Sequence, residues 1–161
     1  MKIAFAYHRS DCKLAELIKS LLHQLGHEVL DFGASDNKTD PPDMAYCTGR
    51  AVLNHNAERA ILVCESGMCS CIAANKMAGL YAAPCYDIVE AHIARSRYNT
   101  NVLCLSDCWT DNRTALNIVK EWLNTPYAKS TLTLRALTKL KTIEAEQCQS
   151  SSSDTNEASQ N

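Results

Sequence analysis

The chain has 161 residues, 46% of them hydrophobic and 21% charged, with a formal net charge of −2 and a pI near 6.2. That length suits one domain with a sizeable core, and that charge excludes a global field drawing in nucleic acid or an anionic membrane. No run approaches the ~18 uninterrupted apolar residues of a membrane span. Tyr7-His8-Arg9 breaks the first run too early for a signal peptide, so a cytoplasmic setting is expected.

Residues 2–7 form a short apolar run with the length of a buried strand. Leu14, Leu17, Ile18, Leu21, Leu22 and Leu25 then recur at helical spacing, and Gly26 stops that helix. Residues 27–32 alternate as a second strand ending at Gly33, followed by a loop over 34–43 rich in Ser, Asp, Asn and Pro. A less regular helix is expected over 43–55, a third strand over 59–64 and a helix over 69–77. Residues 79–84 predict a fourth strand, and Asp87 with Glu90 has the capping-box spacing that opens a helix to about Arg95. A fifth strand over 100–105 precedes helices over 110–123 and 127–146, with Pro126 between them. The final stretch, 147–161, is polar with almost nothing to bury, and is expected to be a disordered tail behind a domain of residues 1–146.

Five apolar strands alternating with helices predict an α/β fold: a three-layer, Rossmann-like domain with a five-stranded parallel sheet and helices on both faces. Ligands in such sheets bind outside the carboxyl ends of the strands. That rule points to residues 7–11, 33–42 and 64–69, and to the residues around Arg97. The nine cysteines lie mostly in apolar runs without a secretion signal, which predicts reduced thiols acting as small hydrophobes.

The segment from Cys64 to Cys71 leaves a buried strand and enters a helix. Unpaired N–H groups in the first helical turn can hold an anion or a developing oxyanion. A cysteine in that field can work as a thiolate base or nucleophile, with Ser66 close enough in sequence to relay a proton. The plainer alternative makes Cys64 the end of a core strand, with Cys69 and Cys71 packing on the helix. Three thiols in this stretch have no paired C-x-x-C and no nearby histidine, so no metal site is expected.

Residues 2–5 (KIAF), 26–33 (GHEVLDFG), Thr39-Asp40 with Pro42, 72–76 (IAANK) and 100–103 (TNVL) resemble the ribose-5-phosphate isomerase B family, whose relatives include the galactose-6-phosphate isomerase subunits. The resemblance covers about residues 2–146. It implies an aldose–ketose isomerase that works through an enediolate with neither metal nor organic cofactor, ribose 5-phosphate to ribulose 5-phosphate being the expected reaction. It implies Cys64 as the base, Ser66 and Gly67 as its supporting loop, and Asp40 in the pocket. Arg9, Arg97, Asn99 and Arg135 join the substrate-binding set, in a homodimer or dimer of dimers that binds a small sugar phosphate and no nucleic acid or membrane.

Several positions depart from the family pattern. Glu65 and Cys69 stand where the loop has glycines, so a left-handed backbone or a close approach there would make a β-carbon costly. Glu65 also opposes ionisation of Cys64, and Asp11 adds negative charge beside Arg9. Arg97 replaces a ring-opening histidine and stays protonated near neutral pH, which leaves His8 or His92 to take over that step. Tyr98, Cys108 and Thr131 replace other polar residues. The competing readings are therefore an active isomerase, a member without catalysis that binds a sugar phosphate or a protein partner, and thiol redox sensing through Cys64–Cys71.

Overall fold

In the computed structural model, β1 (Lys2–Tyr7), β2 (Glu28–Ala34), β3 (Arg59–Cys64), β4 (Ala82–Pro84) and β5 (Val102–Ser106) form one parallel sheet in the order β2-β1-β3-β5-β4. Between them run α1 (Lys13–Gln24), α2 (Pro41–Leu53), α3 (Met68–Asn75) and α4 (Ile88–Tyr98), followed by α5 (Asn112–Asn124) and α6 (Thr131–Glu157). The structure describes residues 1–9, 12–34 and 40–157, with 34 and 148–157 as backbone alone. The chain divides into a sheet-bearing unit, Met1–Tyr127, and a helical unit, Ala128–Asn161. No helix among the described residues is long and apolar enough to cross a membrane.

Strand alternation sorts the core into two layers. Ile3, Phe5, Ile61, Val63, Leu103 and Leu105 face one way, against Ile18 and Leu22 of α1 and Ile118 and Trp122 of α5. Ala4, Ala6, Ala60, Leu62, Val102 and Cys104 face the other way, against Met44 and Val52 of α2 and Cys71 and Ala74 of α3. The second set is rich in alanine, so the α2–α3 layer sits close to the sheet. Gly49 belongs to the same close packing: a β-carbon there would lie 2.5 Å from Leu80 Cδ1.

Some element boundaries differ from the expected ones, each for a local reason. α2 begins at Pro41, because proline suits the first helical position and Asp40 caps it, its N–H donating to the Asp43 carboxylate at 3.0 Å. β4 shrinks to three residues because the Asn101 side chain takes over residues 79–81, accepting from Tyr81 N–H at 2.8 Å and donating to the Gly79 carbonyl at 2.9 Å. α5 ends as Thr125 leaves helical geometry in front of Pro126. α6 spans Thr131–Glu157, a stretch containing neither glycine nor proline. Residues 158–161 of the expected tail lie outside the described residues.

The outer layer carries an acid-sensitive tie between α4 and α5. His92 Nδ1 lies 2.8 Å from Glu121 Oε1, which also accepts from the Thr125 hydroxyl at 2.9 Å. The His92 hydrogen bond, then that of Thr125, holds the Glu121 carboxyl below its ordinary range. A carboxyl lowered in the folded state stabilises it above the group's unfolded pKa, and that contribution vanishes as pH falls through the lower folded value. The melting temperature should therefore fall more steeply between pH 5 and pH 3 in the parent than in Glu121→Gln. Equal slopes would remove the tie as a contributor.

Candidate active site

β1, β3 and β5 end along one edge of the sheet, with Tyr7 opposite Val63 and Cys64 opposite Ser106. That register brings the segments after these strands together. The His8 N–H donates to the Val63 carbonyl at 2.9 Å and the Asp107 N–H to the Cys64 carbonyl at 3.2 Å. Ser106 joins two of the loops: its hydroxyl donates to the Glu65 carbonyl at 2.5 Å and accepts from Trp109 N–H at 2.8 Å. Arg9, Glu65 and Asp107 lie near enough to act electrostatically on the Cys108 thiol.

Cys64 is 3% exposed, and its sulfur receives the hydroxyl of the fully buried Ser70 at 3.3 Å. Ser70 was not among the residues marked by the sequence. α3 starts one residue earlier than expected, at Met68, so Ser70 lies in the first turn and points back to the strand end. Ser66 has a different role at this point, its Oγ accepting from Met68 N–H at 3.3 Å at the head of α3. The Ser66 carbonyl accepts the Tyr86 hydroxyl at 2.9 Å, which fastens the loop to the segment after β4. Tyr86 in turn lies beside Trp109, ring centroids 6.1 Å apart, and Trp109 is 61% exposed.

Gly67 is the residue this turn requires. Its φ is 76°, and a β-carbon would sit 3.3 Å from the Leu105 carbonyl carbon. Glu65 and Cys69 carry no such demand. Among the described residues the non-glycine positions with positive φ are His55 and Asn99, so the two replaced glycines leave no left-handed strain behind. Glu65 is exposed. Cys69 is exposed as well, so it does not pack into the helix core, whereas Cys71 is buried.

The deeper thiols behave as core groups. Burial pushes Cys85 up to about 12, and the Cys71 hydrogen bond together with burial raises Cys104. Cys71 is lowered by the hydrogen bond from Cys104 and a further one from Asn75. The described cysteines are all free thiols. Among the described residues no group of three or more His, Cys, Asp or Glu is placed to hold a metal ion.

The other expected members do not all share this edge. Asp40 does: it caps α2 where the chain has left the carboxyl end of β2, while Thr39 and Asp11 lie outside the described residues. Arg135 is exposed on α6, in the helical unit. Arg97 and Asn99 close α4, Asn99 with φ 51° and its N–H donating to the Arg95 carbonyl at 3.2 Å. The chain then enters β5 at its amino end, where Asn101 pairs with Ala60 and Tyr81. This corrects the strand-end rule for Arg97: the region lies at the opposite edge from Cys64, ~13 Å away along β5. The segment at the carboxyl edge of β4 is Cys85–Asp87 instead. His8 lies at the Cys64 edge, whereas His92 is committed to Glu121.

Comparison with known proteins bears on this arrangement. Residues 3–143 match the family model described as Ribose/Galactose Isomerase. Ribose-5-phosphate isomerase B of Escherichia coli is 35% identical over 127 residues, 78% of this chain and 85% of the other. The D-erythrulose-4-phosphate isomerase of Pectobacterium atrosepticum is 31% identical over 129 residues, covering 79% and 85%. The structure of Clostridium thermocellum ribose-5-phosphate isomerase B superposes with a TM-score of 0.85 at 31% identity, covering 91% of this chain and 99% of that one.

Proposed function

We propose that this chain, which belongs to the ribose/galactose isomerase family of sugar phosphate isomerases, interconverts an aldose phosphate and its ketose, ribose 5-phosphate and ribulose 5-phosphate, with Cys64 as the base. The supporting observation is the Cys64 sulfur at the carboxyl end of β3, held by a buried hydroxyl behind a glycine turn that opens a helix. In the proposed reaction the thiolate takes the proton from C2 of the open-chain aldose. The oxygen on C1 gains charge against N–H groups of the turn, the C2 hydroxyl proton passes to that oxygen, and the thiol returns its own proton to C1, leaving the carbonyl of the ketose on C2.

The phosphate and the far end of the sugar need cations. Arg9 lies at the Cys64 edge, while Arg97 and Asn99 lie across the sheet from it. In this reading they act in the site of a second protomer, and Arg135 joins the phosphate-binding set. Mixing and refolding Cys64→Ala with Arg97→Ala should then recover about a quarter of parent activity, since half the dimers are hybrids with one intact site. No recovery would place the whole site in one protomer.

Arg97 favours a second substrate reading. A guanidinium does not open a sugar ring by proton transfer. A four-carbon aldose 4-phosphate has no free hydroxyl able to close a furanose, so it needs no ring opening. Pure protein assayed against ribose 5-phosphate, erythrose 4-phosphate and a hexose 6-phosphate decides between them. Turnover of the pentose supports the first reading and turnover of the tetrose alone supports the second. Absence of both turnover and binding overturns the isomerase reading.

A further inference from the structure

We infer that Ser70 is a positioning residue that holds the Cys64 sulfur and favours its thiolate form. Both side chains are buried, at 0% and 3% exposure, with Oγ and Sγ 3.3 Å apart. A serine inside a helix ordinarily turns its hydroxyl to the carbonyl four residues back. For Ser70 that is the Ser66 carbonyl, and it already accepts the Tyr86 hydroxyl at 2.9 Å. That carbonyl keeps a second lone pair, yet the Ser70 hydroxyl is turned to the Cys64 sulfur.

The surroundings make this donor matter. The titratable groups around the sulfur are Glu65 in its own loop, Cys71 on α3, Cys104 and Asp107 on and after β5, Tyr86 after β4, and His8 after β1. Arg9 lies at the same edge. A hydroxyl donor to sulfur stabilises its negative form. It also suits both protonation states, because a hydroxyl rotates from donating toward S⁻ to accepting from S–H. The sulfur can therefore take up and release a proton without losing its partner.

The catalytic half of this inference rests on Cys64 being the base; the thiolate half does not. Site-resolved alkylation by iodoacetamide at pH 7, read by peptide mapping, tests the latter directly. Ser70→Ala should slow alkylation at Cys64 about tenfold and leave exposed Cys69 unchanged as an internal reference. On a turned-over aldose phosphate, kcat should fall by a similar factor with KM nearly constant, and the acid limb of the kcat profile should move to higher pH. A Ser70→Thr variant with a parent-like melting temperature should recover both rates. Unchanged alkylation in Ser70→Ala, or no recovery in that threonine variant, overturns the inference. Slowed alkylation in a protein with no isomerase activity would uphold it and overturn the isomerase reading instead.

Discussion

If Cys64 is the base as proposed, replacing it with alanine should lower kcat on whichever aldose phosphate the parent turns over by about 10²–10⁴-fold, the usual span for loss of a general base. KM should change little, because in the proposed reaction the sulfur acts on a carbon-bound proton and not on the phosphate. The fold should tolerate the change. Cys64 is the last residue of β3, its backbone is fixed by pairing with Ser106 and by Asp107, and alanine removes one sulfur atom. Cys64→Ser sharpens the test, since serine keeps the size and a polar atom but is a far weaker base at neutral pH. Its kcat should stay near that of the alanine variant. Substantial turnover in both variants, with melting temperatures near the parent's, would mean that the base lies elsewhere.

The largest loss of stability is expected from Trp122→Ala, at about 3–5 kcal/mol for removing a large buried aromatic. Trp122 is fully buried, and its Nε1–H donates to the Thr100 hydroxyl at 2.9 Å. Two guanidiniums lie over its ring, Arg59 at 5.2 Å and Arg95 at 5.8 Å. Arg59 also donates to the Trp122 and Leu123 carbonyls at 3.2 Å, at the negative end of α5, and Arg95 to the Thr100 carbonyl. Burial, with Arg59 nearby, lowers Arg95 to about 10. Alanine at 122 removes the apolar filling and the π face that both cations share. Trp122→Phe keeps one aromatic ring but loses the Thr100 bond and part of the indole volume, so its cost should be about 1–3 kcal/mol. Urea unfolding of the three proteins measures both values; equal losses for Ala and Phe would mean that the Thr100 bond, not the packing, carries the effect.

The strands were legible because each is a short apolar run between polar breaks, and strict alternation sorts their side chains into the two core layers. Helix ends were less so. The Asp40–Pro41 start of α2 depends on a cap and a proline rather than on periodicity, and Asn101 trims β4 from twenty residues away. The Cys64 turn is local and could be found in sequence. Ser70 could not, because its meaning depends on where α3 begins and on its hydroxyl turning to the strand end rather than to a helix carbonyl. The strand-end rule failed at Arg97 for a geometric reason: each helix carries the chain back across the sheet, so a helix end and the preceding strand end lie at opposite edges.

The outer strands of the sheet have unequal exposure to misassociation. β4 has three residues and ends in Pro84, which offers no N–H for another chain to pair with. β2 is seven residues long, carries an exposed Phe32 and is protected mainly by charge, its Asp31 held by Lys19 at 3.2 Å. When the chain opens partially or is expressed at high concentration, aggregation should begin by strand addition along β2, and removing the charge at Asp31 should accelerate it.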